Sequence, residues 1–179
     1  MLKLYIVRHG RTDWNDKKLM QGRRDIPLNE EGRRQAFELS KTLPSDSYAI
    51  CFSSPLKRAK ETAQIITRNN KQIIDDSLLL ERDLGNFEGK KVDHDLIKKM
   101  WDFSFDAYGE GVESCRDLFD RAKYFLDKLK KEYEDQSILI VSNGAFIKAL
   151  HYVIVGYDQN TDFLSFHPKN TTLYFYEIN

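Results

Sequence analysis

Three short segments of this 179-residue chain pair reactive side chains with signals for the end of a strand. Arg8, His9 and Gly10 follow an apolar run at 2–7; Ser53, Ser54, Pro55 and Arg58 follow a run at 48–53; Ser142, Asn143 and Gly144 end the run 137–142. An imidazole can act as nucleophile, a guanidinium is a fixed cationic fork, and a side-chain amide is a neutral donor. If these segments meet, His9, Arg8, Arg58, Asn143 and the backbone N–H groups around Gly144 make a pocket suited to a dianionic phosphate. A neutral imidazole nitrogen of His9 can attack phosphorus in line and form a phosphohistidine, which divides hydrolysis into two easier steps. Arg8 and Arg58 would hold the equatorial oxygens, a task that forked guanidiniums perform better than lysine.

Such a meeting requires strands that end side by side. Runs at 2–7, 48–53, 72–74 and 137–142 read as buried strands, and 171–178 reads as a β-branched and aromatic strand. Helices are expected at 30–43, capped by Asn29, and from Ser54-Pro55, as cap and first residue, to about residue 68. The clearest helix spans 113–134, where Cys115, Leu118, Phe119, Ala122, Phe125, Leu126, Leu129 and Tyr133 recur at helical spacing. Another is expected at 144–155. Residues 9–30 read as a long surface loop, and 81–111 as irregular apart from a short helix near 96–101. Alternating strands and helices argue for one α/β domain over 1–179, a three-layer α/β/α sandwich with a largely parallel central sheet. In such sheets ligands bind beyond the C-terminal strand ends, where the three segments lie.

Composition narrows the partners. Lys+Arg and Asp+Glu both number 28, so the chain lacks the basic field of a nucleic-acid binder. No apolar stretch approaches the length of a membrane span. Cys51 and Cys115 form no CxxC pair, and with no leader-like segment they suit a reducing, cytoplasmic setting. No two histidines are spaced as metal ligands, so neither metal nor cofactor is expected.

The ordered motifs go further. LYIVRHGRTDWN, then LMQGRRDIPLNEEGRRQA, CFSSPLKRAKETA, LLERDLGNFEG, GEGVES and LIVSNGAFIKAL resemble, in order and over nearly the whole chain, the signatures of the histidine phosphatase (phosphoglycerate mutase-like) superfamily. That resemblance implies a phosphoglycerate mutase-like fold and His9 as nucleophile. It also implies a phosphate contact from Asn15 and a general acid at Glu81, with Glu88 as the alternative in the same segment. Gln21 and Gly22 are placed at the substrate border, where an ordinary turn would explain them as well. The implied activity is hydrolysis of a small phosphomonoester, with phosphoglycerate mutase-type transfer as the alternative.

One position departs from the pattern. Where the family carries a second catalytic histidine, this chain has Asn143, which can donate a hydrogen bond but never carry charge. A non-catalytic phosphoester binder on the same fold is therefore a further alternative. His151, eight residues along the same helix, lies about 12 Å further down the axis, too far to substitute. His94 and His167 lie in irregular segments from which either could approach.

Overall fold

The computed structural model describes residues 1–105 and 108–179. Its strands are β1 (Leu2–Arg8), β2 (Ile50–Ser53), β3 (Ile73–Asp75), β4 (Ser137–Ser142) and β5 (Leu173–Ile178). They form one sheet in the order β3-β2-β4-β1-β5. β4 pairs in parallel with β1 and β2, and β2 with β3; β5 runs antiparallel along the outer edge of β1.

The strand sequences explain the layering. Both faces of β4 are covered, so its inner residues Ile138–Val141 are an unbroken apolar run rather than an alternating one. Ile138 and Ile140, with Leu4 and Ile6 of β1, pack against α5 (Cys115–Glu132) and α6 (Gly144–Val155). Leu139 and Val141 turn to the opposite face, against Ala59, Ala63 and Ile66 of α3 (Lys57–Thr67) and Leu39 of α2 (Glu30–Thr42). The expected three layers are therefore present. On α5 the stripe is buried at Leu118, Phe119, Phe125, Leu126 and Leu129, and each such side chain contributes about 1.5–3 kcal/mol. Among the described residues, no helix is long and apolar enough to cross a membrane.

Several boundaries differ from expectation. Residues 9–30 contain a short helix, α1 (Asp13–Asp16), begun by a capping box between Thr12 and Asn15. The short helix near 96–101 is α4 (His94–Met100), capped by Asp93. Ser54-Pro55 does not start α3; the helix opens at Lys57, and no local side chain caps it. Its first N–H is taken by a remote carboxylate, with Lys57 N donating to Asp25 Oδ1 at 2.7 Å. Glu113 likewise precedes α5, whose cap is Ser114, and pairs instead with Arg121.

The loop after β1 is held tightly to α2. A Cβ on Gly10 would collide with the backbone carbonyl of Gly32, so only glycine lets the His9 turn lie this close.

Candidate active site

β1 and β4 end level with each other: Arg8 pairs with Ser142, and His9 N donates to the Ser142 carbonyl at 3.0 Å. Ser54 N donates to the Val141 carbonyl at 3.0 Å, which brings the end of β2 into line. The chain leaving β1 goes to α2 on one face, and the chain leaving β4 goes to α6 on the other. The crevice between β1 and β4 is thus the switch point of the sheet, where ligands bind in such folds.

His9 is buried there, 1% exposed, with Nδ1 2.7 Å from the Gly10 carbonyl oxygen. A carbonyl only accepts, so Nδ1 carries the hydrogen and Nε2 is left with its lone pair. Burial, then the charges of Arg58 and Arg8, push the imidazole well below its ordinary value of 6.5. His9 is therefore neutral at physiological pH. Its surroundings are pinned by Gly10 N donating to Thr62 Oγ1 at 3.0 Å and by Asn170 Nδ2 donating to the His9 carbonyl at 2.8 Å.

Neutral burial has a consequence for stability. The unfolded chain takes up a proton on His9 near 6.5, whereas the folded chain takes it up only at lower pH. The contribution is fully present above the unfolded value and is lost as pH falls towards the folded one. His151 and His167 are lowered in the same direction, mainly by burial. Urea midpoints should fall between about pH 7.5 and about pH 5, and His9→Gln should make that fall shallower. An unchanged slope in the variant would mean that His9 is not buried neutral.

Arg58 is fully buried and donates from Nε to Asn143 Oδ1 at 3.0 Å, from Nη1 to the Arg24 carbonyl at 2.7 Å and from Nη2 to the Gly22 carbonyl at 2.7 Å. One hydrogen on each terminal nitrogen remains for a ligand. Burial lowers Arg58 to about 10, so it stays cationic at neutral pH. Arg8 donates from Nη1 to the Pro168 carbonyl at 2.9 Å, while its buried Nε has no partner among the described residues. Gly144 leaves room for it: a Cβ there would stand 3.3 Å from the Arg8 guanidinium.

Glu81 caps α6. Its Oε1 accepts from Ala145 N at 3.0 Å, Phe146 N at 3.1 Å and Arg82 N at 2.9 Å. Among the described residues, Oε2 accepts only from Ala145 N, at 3.2 Å. Glu88 has a different place: it accepts from Arg23 N at 2.7 Å and faces Arg24, holding the turn at Gly22. Gly22 has φ +51°, and a Cβ on it would run into the Glu88 carboxylate.

A cavity of about 940 Å³ opens on these groups, and Arg8, His9, Arg58 and Glu81 line it. Asn15, Gln21, Gly22 and Gly144 line it as well, whereas Glu88 does not. Asn15 Oδ1 accepts from Thr12 N at 3.1 Å, and Gln21 Oε1 accepts from Thr12 Oγ1 at 2.9 Å; each amide therefore keeps its NH₂ to offer an anion.

Asn143 lies behind the cavity rather than in its wall. Its Oδ1 accepts from Arg58, and its Nδ2 donates to Ser54 Oγ at 3.1 Å and to the Leu79 carbonyl at 3.2 Å. The amide orientation is fixed, because Arg58 Nε can only donate and the Leu79 carbonyl can only accept. Both amide hydrogens are thus committed to protein atoms, contrary to the expectation of a free donor towards the phosphoryl group.

Sequence reasoning missed Ser54 and Thr62 as anchors, and it missed the segment at 168–171 that closes one side of the site. Only non-local contacts reveal them. His94 and His167 both line the cavity, while His151 bonds to the Tyr176 hydroxyl and stacks on Phe166 away from it. Among the described residues, no three His, Cys, Asp or Glu side chains are grouped to hold a metal ion.

Comparisons with known proteins agree with this geometry. Residues 4–179 match the model of the histidine phosphatase superfamily (branch 1). The chain is 38% identical over 159 residues to the uncharacterized phosphatase PhoE of Bacillus subtilis, covering 88% of this chain and 80% of that one. It is 31% identical over 179 residues to phosphoserine phosphatase 1 of Hydrogenobacter thermophilus, covering 96% and 84%. A mutant phosphoserine phosphatase from Entamoeba histolytica, in complex with phosphoserine, superposes with a TM-score of 0.86 at 28% identity, covering 98% and 90%. That enzyme in complex with 3-phosphoglyceric acid gives 0.84 at 30% identity, with the same coverage. The chain belongs to the histidine phosphatase superfamily and is a hydrolase of phosphate esters.

Proposed function

We propose that this chain is a cofactor-independent phosphatase, a single catalytic domain over 1–179, that hydrolyses a small phosphomonoester through a phosphohistidine on His9. The observation that carries this reading is the free Nε2 lone pair of a neutral imidazole that feels the charges of the buried Arg58 and the half-buried Arg8 guanidiniums. Nε2 attacks phosphorus as the ester oxygen departs and takes a proton from Glu81. Water then attacks the phosphoryl group, giving its proton back to Glu81 as the P–N bond breaks, and neutral His9 is restored. Arg8 and Arg58 offset charge on the equatorial oxygens in both steps, with Asn15, Gln21 and the backbone at Gly22 and Gly144 around the substrate. The phosphoserine and 3-phosphoglyceric acid bound by the structural neighbours support a small phosphorylated metabolite as substrate. The buried, unpaired thiols of Cys51 and Cys115 suit a cytoplasmic setting.

Asn143 favours one second reading, a phosphoester binder without turnover, since both its amide hydrogens are committed elsewhere. In the catalytic reading Asn143 acts by positioning Arg58. Acid-labile phosphate is then expected on His9 of the unaltered chain after mixing with a phosphomonoester. Asn143→Asp, which turns the Leu79 contact into a repulsion and adds negative charge behind the phosphate, should slow labelling by about a hundredfold. Label that appears only in Asn143→His would establish the non-catalytic reading instead.

A further inference from the structure

The cavity holds more positive charge than a phosphate needs. Lys148 is 5% exposed and lines the cavity, yet it makes no hydrogen bond or ion pair among the described residues. Its ammonium lies 4.6 Å from the Trp101 ring centroid, and Trp101 carries the Arg82 guanidinium at 5.7 Å as well. A buried lysine with only an aromatic face for company is poorly compensated, because desolvation of its charge is not repaid by a counter-ion. Burial lowers it to about 8, which leaves it cationic at neutral pH. Asp162, the carboxylate whose charge it feels most, is exposed and accepts from Leu164 N in its own turn.

The position of this charge is informative. Lys148 lies one helical turn beyond Gly144 on α6, and helical side chains lean back towards the N-terminus. Its stem therefore points towards the end of α6 where Glu81 is bound and Arg8 packs over Gly144. At the cavity rim is His167, next to Pro168, whose carbonyl holds Arg8. Lys148 and His167 thus share the cavity wall with Glu81 and Arg8, and in the phosphatase reading Glu81 marks the side from which the ester oxygen leaves.

We propose that Lys148, with His167 at the rim, forms a second anion subsite that selects phosphomonoesters carrying a carboxylate a few bonds from the ester oxygen. One buried ammonium balances one carboxylate charge, whereas a second phosphate dianion would be left half-compensated. The rigid Trp101 face keeps the ammonium extended in the free protein, so little side-chain entropy is lost on binding. This inference rests on the phosphatase reading for its chemistry, but its test separates the two.

Turnover is compared for two matched pairs: phosphoserine against phosphoethanolamine, and 3-phosphoglycerate against glycerol 3-phosphate. Each pair differs by the carboxylate. The unaltered chain should favour the acid in kcat/KM by about tenfold or more, and Lys148→Met should reduce that ratio by about tenfold, chiefly through KM. Lys148→Arg should recover much of it. A ratio near one in the unaltered chain, or a ratio unmoved in Lys148→Met, overturns the subsite. Calorimetric binding of the same pairs to the His9→Ala chain asks the question without turnover. Selective binding there without any labelling of His9 in the unaltered chain would keep the subsite and reject the phosphatase.

Discussion

Replacing His9 by alanine is expected to abolish turnover, with kcat falling by at least about 10⁴-fold and acid-labile phosphate disappearing from the protein. The size of the effect follows from the role. Without Nε2 there is no covalent intermediate, and hydrolysis would need water to attack phosphorus directly in a pocket shaped for an imidazole. Arg8 and Arg58 would still bind the phosphate, because Arg58 is held by Asn143, Arg24 and Gly22, and Arg8 by Pro168, none of which passes through the His9 side chain. Affinity for the ester should therefore survive while the chemistry does not. The variant should also fold, since among the described residues the imidazole's one hydrogen bond is to the adjacent Gly10 carbonyl. Circular dichroism, calorimetric binding and rapid-quench labelling check the three parts separately. Hydrolysis retained in a folded, phosphate-binding His9→Ala chain would remove His9 from the nucleophile's place.

Much of this site is legible in the sequence, for a physical reason. The apolar runs Leu4–Val7 of β1 and Ile138–Val141 of β4 lie in the core, and each is ended by polar residues, Arg8-His9 and Ser142-Asn143. What a strand end carries is then placed by the sheet, which is why Arg8, His9, Arg58 and Gly144 could be assembled from the chain alone. Ser54 shows where that logic stops. A serine before a proline reads as a helix cap, but its hydroxyl is claimed by Asn143, 89 residues away, and α3 is capped by Asp25 instead. Asn143 is similar: sequence gives its position at the mouth of β4, yet its task depends on Arg58 and the Leu79 carbonyl, both distant along the chain. Lys148 reads as a polar interruption in an apolar helix, and only the packing of Trp101 against it shows that its charge is buried. Local pattern fixes elements, but the partner of a buried polar atom is a property of the fold.

Glu81→Gln is expected to slow phosphoenzyme formation by about 10²-fold or more, and to do so unequally among substrates. The carboxylate has two distinct oxygens in this structure. Oε1 is saturated by the N–H groups of Arg82, Ala145 and Phe146, whereas Oε2 makes a single longer contact among the described residues and is the one able to carry a proton to the ester oxygen. Glutamine keeps an acceptor oxygen for the three donors, so the cap on α6 should persist and the thermal midpoint should move little. It has no proton to give an alkoxide. Alkyl phosphates, whose leaving groups need that proton, should therefore lose about 10²-fold or more in kcat/KM. p-Nitrophenyl phosphate, whose phenolate departs unaided, should lose far less. The dependence of log rate on leaving-group pKa should steepen in the variant. An equal loss for both substrate types would mean that Glu81 serves only to hold the start of α6, and that the proton comes from another group lining the cavity.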